Sequence, residues 1–317
     1  MQPDPPTPKP SSSQSPASSS PNTANSPQHS TSLRIAFQGE PGAFSEAAAI
    51  QLLGPKITTV PRATFDAVFR AIPENAADAL LVPVENSLAG SVVRVYDLML
   101  ENQLTITAET ILPIELNLIA VPGASLDQIK TVSSHPMALA QCERFFAQYP
   151  LYKRIPAEDT AGSVREVLAR GDKISAAIAG RRAADHYHGM ILAENIQDNS
   201  ENFTRFVLLR PDSAAAIAPT ADARKMSVAM QLAHRPGALL AALEPFARRN
   251  INLRKIESRP IHGQPWAYSF ILEIEADKPE LLDAALAEAR KATNDLRVLG
   301  LYAAAKTDPA RTTTTQK

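Results

Sequence analysis

Residues 201–206 read Glu201-Asn202-Phe203-Thr204-Arg205-Phe206 and run directly into Val207-Leu208-Leu209, so a hydroxyl and a guanidinium stand side by side where an apolar strand begins. Side chains alternate along a strand. Asn202 and Thr204 are therefore expected on one side and Arg205 on the other, among apolar neighbours, where an unpaired charge is costly. Something in the fold, or a ligand, must answer that charge. Two readings stay open: a structural arginine paired with a carboxylate, or a residue of a site.

Other stretches gather polar groups at corners between elements. Gly39-Glu40-Pro41-Gly42-Ala43-Phe44-Ser45 lies between a strand and a helix, where Ser45 can cap and free N–H groups with the helix dipole behind them suit an anion. An ordinary strand-to-helix turn has the same spelling, and the spacing is neither a dinucleotide fingerprint nor a phosphate loop, so neither NAD nor a nucleotide is expected. Glu85-Asn86-Ser87 to Ser91 puts an acid, an amide and two hydroxyls directly after a strand, where open α/β sheets collect ligands. Ser87 or Ser91 as a cap and Glu85 as a surface acid are the plainer readings. Ser133-Ser134-His135-Pro136 opens a helix that carries Gln141 one turn in. His135 is a candidate acid, but a histidine before a helix-starting proline is usually structural. No Gly-x-Ser-x-Gly elbow supports a hydrolase, and Cys142 sits among apolar residues.

A strand-to-helix turn recurs at His234-Arg235-Pro236-Gly237-Ala238-Leu239-Leu240, with Asn252, Leu253 and Glu257-Ser258-Arg259-Pro260 expected on or beside a neighbouring strand. Polar groups on the edge of a small sheet suit an amino acid ligand, or a dimer seam.

The elements that must position these groups follow from periodicity. From Leu33, short apolar runs alternate with helical patterns, the rhythm of a parallel α/β sheet. Phe65, Val68, Phe69 and Ile72 form one core-facing helical stripe. Strands are expected at Leu116–Val121, Ala176–Ala179 and Phe203–Leu209. After an Ala/Pro-rich linker over 211–224, the order Met226–Leu232, a helix opened by Pro236, strands near Ile251–Glu257 and Trp266–Ile274, a helix from Pro279, and Leu296–Tyr302 is βαββαβ, a ferredoxin-like pattern.

The 317 residues suggest about two domains. A net charge of −1 with interspersed signs argues against nucleic acid or a membrane surface as partner, and leaves small molecules. One cysteine fits a reducing, cytoplasmic setting, and six scattered histidines predict no structural metal. Residues 1–32, rich in Pro and Ser, and the end beyond 305 are expected to be disordered tails.

Taken together, Gln38 to Ser45, Glu85-Asn86-Ser87, Ser134-His135-Pro136 with Gln141-Cys142, Ile196-Gln197-Asp198 leading into Thr204-Arg205-Phe206, Gly237 to Leu240, and Glu257 to Pro260 resemble the prephenate dehydratase family with its C-terminal ACT domain. The resemblance runs from about Leu33 to Tyr302. It implies an α/β, two-lobed, periplasmic-binding-protein-like catalytic domain (33–210), its second lobe inserted in the first, followed by a ferredoxin-like ACT domain (225–304). It implies no cofactor. By resemblance Thr204 is the essential hydroxyl, surrounded by Asn86, Ser134 and Gln141, with Glu85 a candidate proton source if burial raises its pKa. Substrate would be bound by Gly42, Ala43, Ser45, Ser87, Arg205 and Phe206, with Arg205 and the Gly42 to Ser45 corner holding its carboxylates. Phenylalanine would act as effector at His234, Gly237, Ala238, Leu239, Asn252, Leu253, Glu257, Ser258 and Arg259, in a homodimer or homotetramer. Two departures from the family pattern are Met137 after Ser-His-Pro and His188 after Tyr187. Arogenate dehydratase, which performs the same elimination on the aminated substrate, is the nearest alternative, and a silent amino-acid sensor is a remote one.

Overall fold

The structure, a computed structural model, describes residues 32–212, 222–261, 263 and 267–305. Both expected tails apart from Ser32 and Ala305, most of the expected linker, and Trp266 lie outside the described residues.

The chain begins with β1 (Arg34–Gln38), α1 (Phe44–Leu53), β2 (Thr58–Arg62), α2 (Phe65–Arg70), β3 (Ala79–Asn86), β4 (Gly90–Ser91), α3 (Val93–Glu101) and β5 (Leu104–Pro113). Thr64 caps α2 by accepting from the Ala67 N–H. Val68 and Phe69 are buried, and Phe65 and Ile72 pack against the same core, Ile72 from just beyond the helix end. A second layered unit follows: β6 (Asn117–Ala120), β7 (Thr131–Ser134), α4 (Pro136–Ala140), α5 (Glu143–Gln148), β8 (Lys153–Pro156), α6 (Thr160–Arg170), β9 (Ser175–Ala179), α7 (Arg181–Tyr187) and β10 (Met190–Ala193). The chain then returns to the first sheet as β11 (Phe203–Pro211).

The first sheet has the order β2-β1-β3-β11-β5, with β4 on β3; the second has β10-β6-β9-β7-β8. One lobe is thus inserted in the other. The expectation of a parallel sheet needs correction, because β11 is antiparallel to both β3 and β5, and β6 to both β9 and β10. The cause is topological. The chain leaves the first lobe at the end of β5 and re-enters at the same edge, so the returning strand must run the opposite way.

The C-terminal domain comprises β12 (Lys225–Gln231), α8 (Ala238–Ala247), β13 (Asn252–Pro260), β14 (Tyr268–Glu275), α9 (Pro279–Ala289) and β15 (Asp295–Tyr302), with the antiparallel order β13-β14-β12-β15. Met226, Val228, Met230, Leu272 and Ile274 on one face pack against Phe246, Leu282 and Leu286 of the helices. The opposite face docks on the first lobe, where Ala229, Ile271, Leu299 and Tyr302 share a core with Val95, Tyr96, Met99 and Ile106. Helix α8 starts two residues later than Pro236 suggests, because Gly237 at φ 80° interrupts the helical path.

The docked faces meet closely at Gly300, where an added Cβ would lie 2.2 Å from the Ile106 carbonyl oxygen. A main-chain oxygen cannot rotate away, so β15 or β5 would have to shift. Gly300→Ala is therefore expected to cost about 1–3 kcal/mol of stability, read as a lower urea midpoint. An unchanged midpoint would contradict this docking.

Candidate active site

Three stretches singled out in the first domain lie at the C-terminal edge of a strand: Gly39–Ser45 after β1, Glu85–Ser91 from the end of β3, and Ser134–Gln141 from the end of β7. Open α/β sheets bind ligands at these edges. Because β11 runs antiparallel to β3, its start falls at the same edge, with Thr204 opposite Asn86 and Arg205 opposite Glu85. Two crossings join the lobes there and are tied together: Ile114 N–H donates to Asn202 O (2.8 Å), Ile196 N–H to Leu116 O (2.9 Å), and Leu116 N–H to the Gln197 side chain (2.9 Å).

A chain of amides spans the lobes and ends on Thr204. The Asn86 Nδ2 donates to Thr204 Oγ1 (3.0 Å), Asn202 Oδ1 (2.8 Å) and Phe203 O (3.1 Å). Its Oδ1 accepts from the Leu88 and Ala89 N–H groups, which fixes the β3–β4 turn. Asn202, buried, passes the chain on by donating from Nδ2 to Gln141 Oε1 at 3.0 Å, from first lobe to second. The Thr204 oxygen thus accepts from one donor, while among the described residues no protein acceptor takes its proton. A half-buried hydroxyl so arranged is poised to donate to a ligand. Asn86 and Asn202 position it.

Several expected roles need correction. Arg205 does not face this cleft: its guanidinium donates to Glu109 (3.0 Å), Glu85 (3.0 Å) and Glu273 of β14 (2.8 Å), so the structural reading prevails over carboxylate binding. Burial alone would lower its pKa, but Glu273 and Glu109 outweigh that and raise it. Glu85 shares that back face. Burial pushes its carboxyl up, yet Lys255 and Arg205 bind it and hold it below the ordinary value, the opposite of what a proton source needs. Phe206 is buried in the core with Ile35, Leu81 and Leu208. Ser134 is fully buried and donates to Ile178 O at 2.6 Å, which locks β7 to β9 rather than lining the cleft. Ser87 clasps the start of β11, donating to Glu201 O (2.8 Å) and accepting from Phe203 N–H (2.9 Å). His135 is the N-cap of α4, its ring accepting from Met137 N–H.

The corner after β1 survives in altered form. Ser45 does not cap; Ala43 is the N-cap and makes no side-chain bond. The Gly42 N–H is taken by Glu46 (2.8 Å) and the Ala43 N–H by Glu40 O (3.0 Å), leaving the N–H groups of Phe44 and Ser45 without a protein acceptor among the described residues. Glu46 is nearly buried and also accepts from Thr59 (2.9 Å) and from Arg182 of the second lobe (2.7 Å). A second lobe-to-lobe pair, Glu40–Arg165, stands at 2.7 Å. Gly42 is required at this seam: at φ 88° an added Cβ would lie 2.7 Å from the Ala183 Cα. Burial raises the Glu46 pKa, but Arg182, the Gly42 N–H and Thr59 together hold it below normal.

Sequence reasoning gave no role to Asn202, Glu46 or Arg182. The alternation argument did put Asn202 on the Thr204 face; nothing in the local spelling distinguishes Glu46 from a surface helix acid.

In the C-terminal domain, His234, Ala238 and Leu239 line a cavity of about 150 Å³ with Leu232, Tyr268 and Phe270 beside the Gly237 turn. Asn252 and Leu253 sit at the far end of β13, since Pro260, not Asn252, pairs with Tyr268. Glu257 and Arg259 turn to the first lobe, where Glu257 accepts from Ser91 (2.7 Å) and Arg259 pairs with Asp97 (3.0 Å). Their reading as effector ligands is therefore corrected. Ser258, one residue away, stays exposed.

These features define a two-lobed α/β enzyme whose cleft presents one oriented hydroxyl, with a small βαββαβ domain docked behind it. The family description "Prephenate dehydratase" matches residues 35–214 and "ACT domain" residues 227–290. The chain is 40% identical over 293 residues to arogenate dehydratase 1 of Petunia hybrida, covering 87% of this chain and 68% of that one. The prephenate dehydratase of Arthrobacter aurescens in complex with L-Phe superposes with a TM-score of 0.78 at 33% identity, covering 86% of this chain and 90% of that one. A structure described as GqqA, a novel type of quorum quenching acylase, reaches 0.79 at 31% identity, covering 88% and 99%. The chain belongs to the prephenate dehydratase family, lyases that carry an ACT domain.

Two expectations follow. Asn202→Ala strips Asn86 and Gln141 of a shared partner and is expected to cost about 1–3 kcal/mol, seen as a lower urea midpoint; a neutral effect would show the amide chain to be incidental. Glu46 has a folded pKa below its unfolded one, so its contribution to stability is fully present above the unfolded value and is lost as pH falls through the folded value. Glu46→Gln should flatten the decline of the urea midpoint on acidification below the ordinary carboxylate range. Parallel declines in variant and wild type would contradict it.

Proposed function

We propose that the chain converts prephenate to phenylpyruvate by eliminating carbon dioxide and the ring hydroxyl together, with Thr204 donating to the departing oxygen. The observation that carries this reading is the Thr204 hydroxyl, its oxygen occupied by Asn86 and its proton uncommitted within the described residues. The electron pair of the ring–carboxylate bond enters the ring as the C4–O pair leaves with the hydroxyl, so the step is redox-neutral. Aromatisation supplies the driving force, and the enzyme's task is to orient a dianion and ease the departure of hydroxide. A threonine is too weak an acid to transfer its proton outright; its hydrogen bond stabilises charge as it develops on the oxygen. The free Phe44 and Ser45 N–H groups, at the start of a ten-residue helix, suit a substrate carboxylate. With Glu85 and Arg205 on the other face, the proton that completes water comes from solvent.

Arogenate is the second reading, favoured by the 40% identity to a petunia arogenate dehydratase. A hydrolytic reading lacks support: Ser134 is sealed against Ile178, and His135 serves as a cap.

Phenylalanine is the effector we assign to the ACT domain, consistent with the L-Phe complex of the Arthrobacter relative. The candidate effector residues fall in two groups at opposite ends of β13, an edge strand with Leu253 and Ile256 exposed. Antiparallel pairing of two such edges about a twofold axis near Ile256 would bring one copy's Asn252 end to the other's Gly237 end. A homodimer would thus complete each effector site.

Thr204→Val, which keeps shape and removes the hydroxyl, is expected to lower kcat roughly a hundredfold or more with unchanged melting, while Thr204→Ser retains most activity. Equal turnover in wild type and the valine variant would refute the role. Side-by-side kcat/KM on prephenate and arogenate decides the substrate.

A further inference from the structure

The residues behind Thr204 carry an inference of their own. On β11 and β3 the cross-strand pairs Thr204–Asn86 and Arg205–Glu85 are adjacent and face opposite ways, so the cleft pair and the ion pair stand back to back on the same two strands. The register breaks immediately beyond, between Arg205 and Phe206, leaving Val84 without a cross-strand partner on β11. A bulge there bends β3 and interrupts its pairing with β11 directly behind the cleft pair, while the pairing of β11 with β5 runs on unbroken through Leu208.

The back pair belongs to a network that crosses the domain boundary. From the catalytic domain come Glu85, Glu109 and Arg205; from the ACT domain come Lys225, Lys255 and Glu273. Lys225 pairs with Glu109 (2.8 Å) and Glu273 (3.0 Å), and Lys255 with Glu85 (2.8 Å). Lys255 also donates to Ser91 (2.8 Å), whose hydroxyl donates to Glu257. Three acids balance three cations. Arg205, Lys225, Glu109 and Glu273 have side chains only 3–11% exposed. Withdrawing one partner from such a buried set strands another charge, so a shift of the ACT sheet pulls on Arg205, and through Lys255 on Glu85, whose side chain is 38% exposed.

We propose that the Glu85–Arg205 pair is the positioning link through which the ACT domain sets the Thr204–Asn86 geometry, with Lys255 and Glu273 as its handles on the ACT side. A change in ACT arrangement pulls on the two residues whose main-chain neighbours are Thr204 and Asn86. Turnover is thereby tied to effector state across one peptide bond on each strand. The inference rests on the roles proposed above for Thr204 and for phenylalanine.

The test uses the full chain carrying Lys255→Met, which removes the ACT handle on Glu85 and substitutes no residue of the cleft, with Lys255→Arg as the conservative variant. Phenylalanine binding is followed by calorimetry, turnover is measured with and without saturating phenylalanine, and amide exchange is followed at residues 203–206. In wild type, phenylalanine should change kcat/KM by about 5- to 150-fold and alter exchange at 203–206. In Lys255→Met, binding should stay within about threefold while the effect on turnover collapses toward none and the exchange response disappears; Lys255→Arg should restore both. Wild-type-like inhibition and exchange response in Lys255→Met would overturn the proposal. So would loss of phenylalanine binding in that variant, because Lys255 would then act at the effector site rather than downstream of it. If wild type turned over neither substrate, the functional reading would fail on its own. The exchange measurement would still decide the link, an exchange response to phenylalanine that Lys255→Met abolishes supporting it and one that persists refuting it.

Discussion

Neighbouring residues on a strand must face opposite sides, and the pairing of β11 with β3 turns that rule into the plan of the protein. Thr204 and Asn86 look into the cleft; Arg205 and Glu85 look into the ACT domain. A slip of one residue would bury the hydroxyl and open the guanidinium to the cleft. The inserted lobe matters for the same reason, since it forces the chain to re-enter at the cleft edge and run back against β3.

Around this pair the polar groups are spent economically. Asn86 satisfies a turn with its oxygen and orients Thr204 with its nitrogen, and Asn202 carries that order across to Gln141. The opposite side of the cleft is held by Glu46, which ties its own helix corner to Arg182 of the other lobe. Among the described residues, these ties leave the Thr204 hydroxyl and the first-turn N–H groups of α1 uncommitted. For an elimination driven by aromatisation, a dianion held in place and one well-aimed hydrogen bond are a sufficient set.

Much of this was legible in the sequence, and the failures share a cause. The alternation of elements, the stripe on α2 and the βαββαβ order depend on local periodicity and emerged nearly in register. The direction of β11 did not, because a strand's periodicity is the same whichever way it runs. The placing of Arg205 among apolar neighbours, with a charge that something had to answer, was correct as a question; the answer came from Glu109 and Glu273, 96 and 68 residues away. Glu85 was misjudged because its depressed pKa comes from Lys255, 170 residues on. Ser134 and Phe206 were read as site residues from the family resemblance of their motifs, whereas burial between packed strands is a tertiary property.

The most direct test of this account is a crystal structure of the full-length Thr204→Val protein with prephenate bound. The account predicts the ring hydroxyl oxygen about 3 Å from the position of the missing Oγ1, a carboxylate at the Phe44 and Ser45 N–H groups, and Arg205 still clasped by Glu85, Glu109 and Glu273. A substrate whose carboxylate is held by Arg205, or whose ring hydroxyl points away from residue 204, would contradict it.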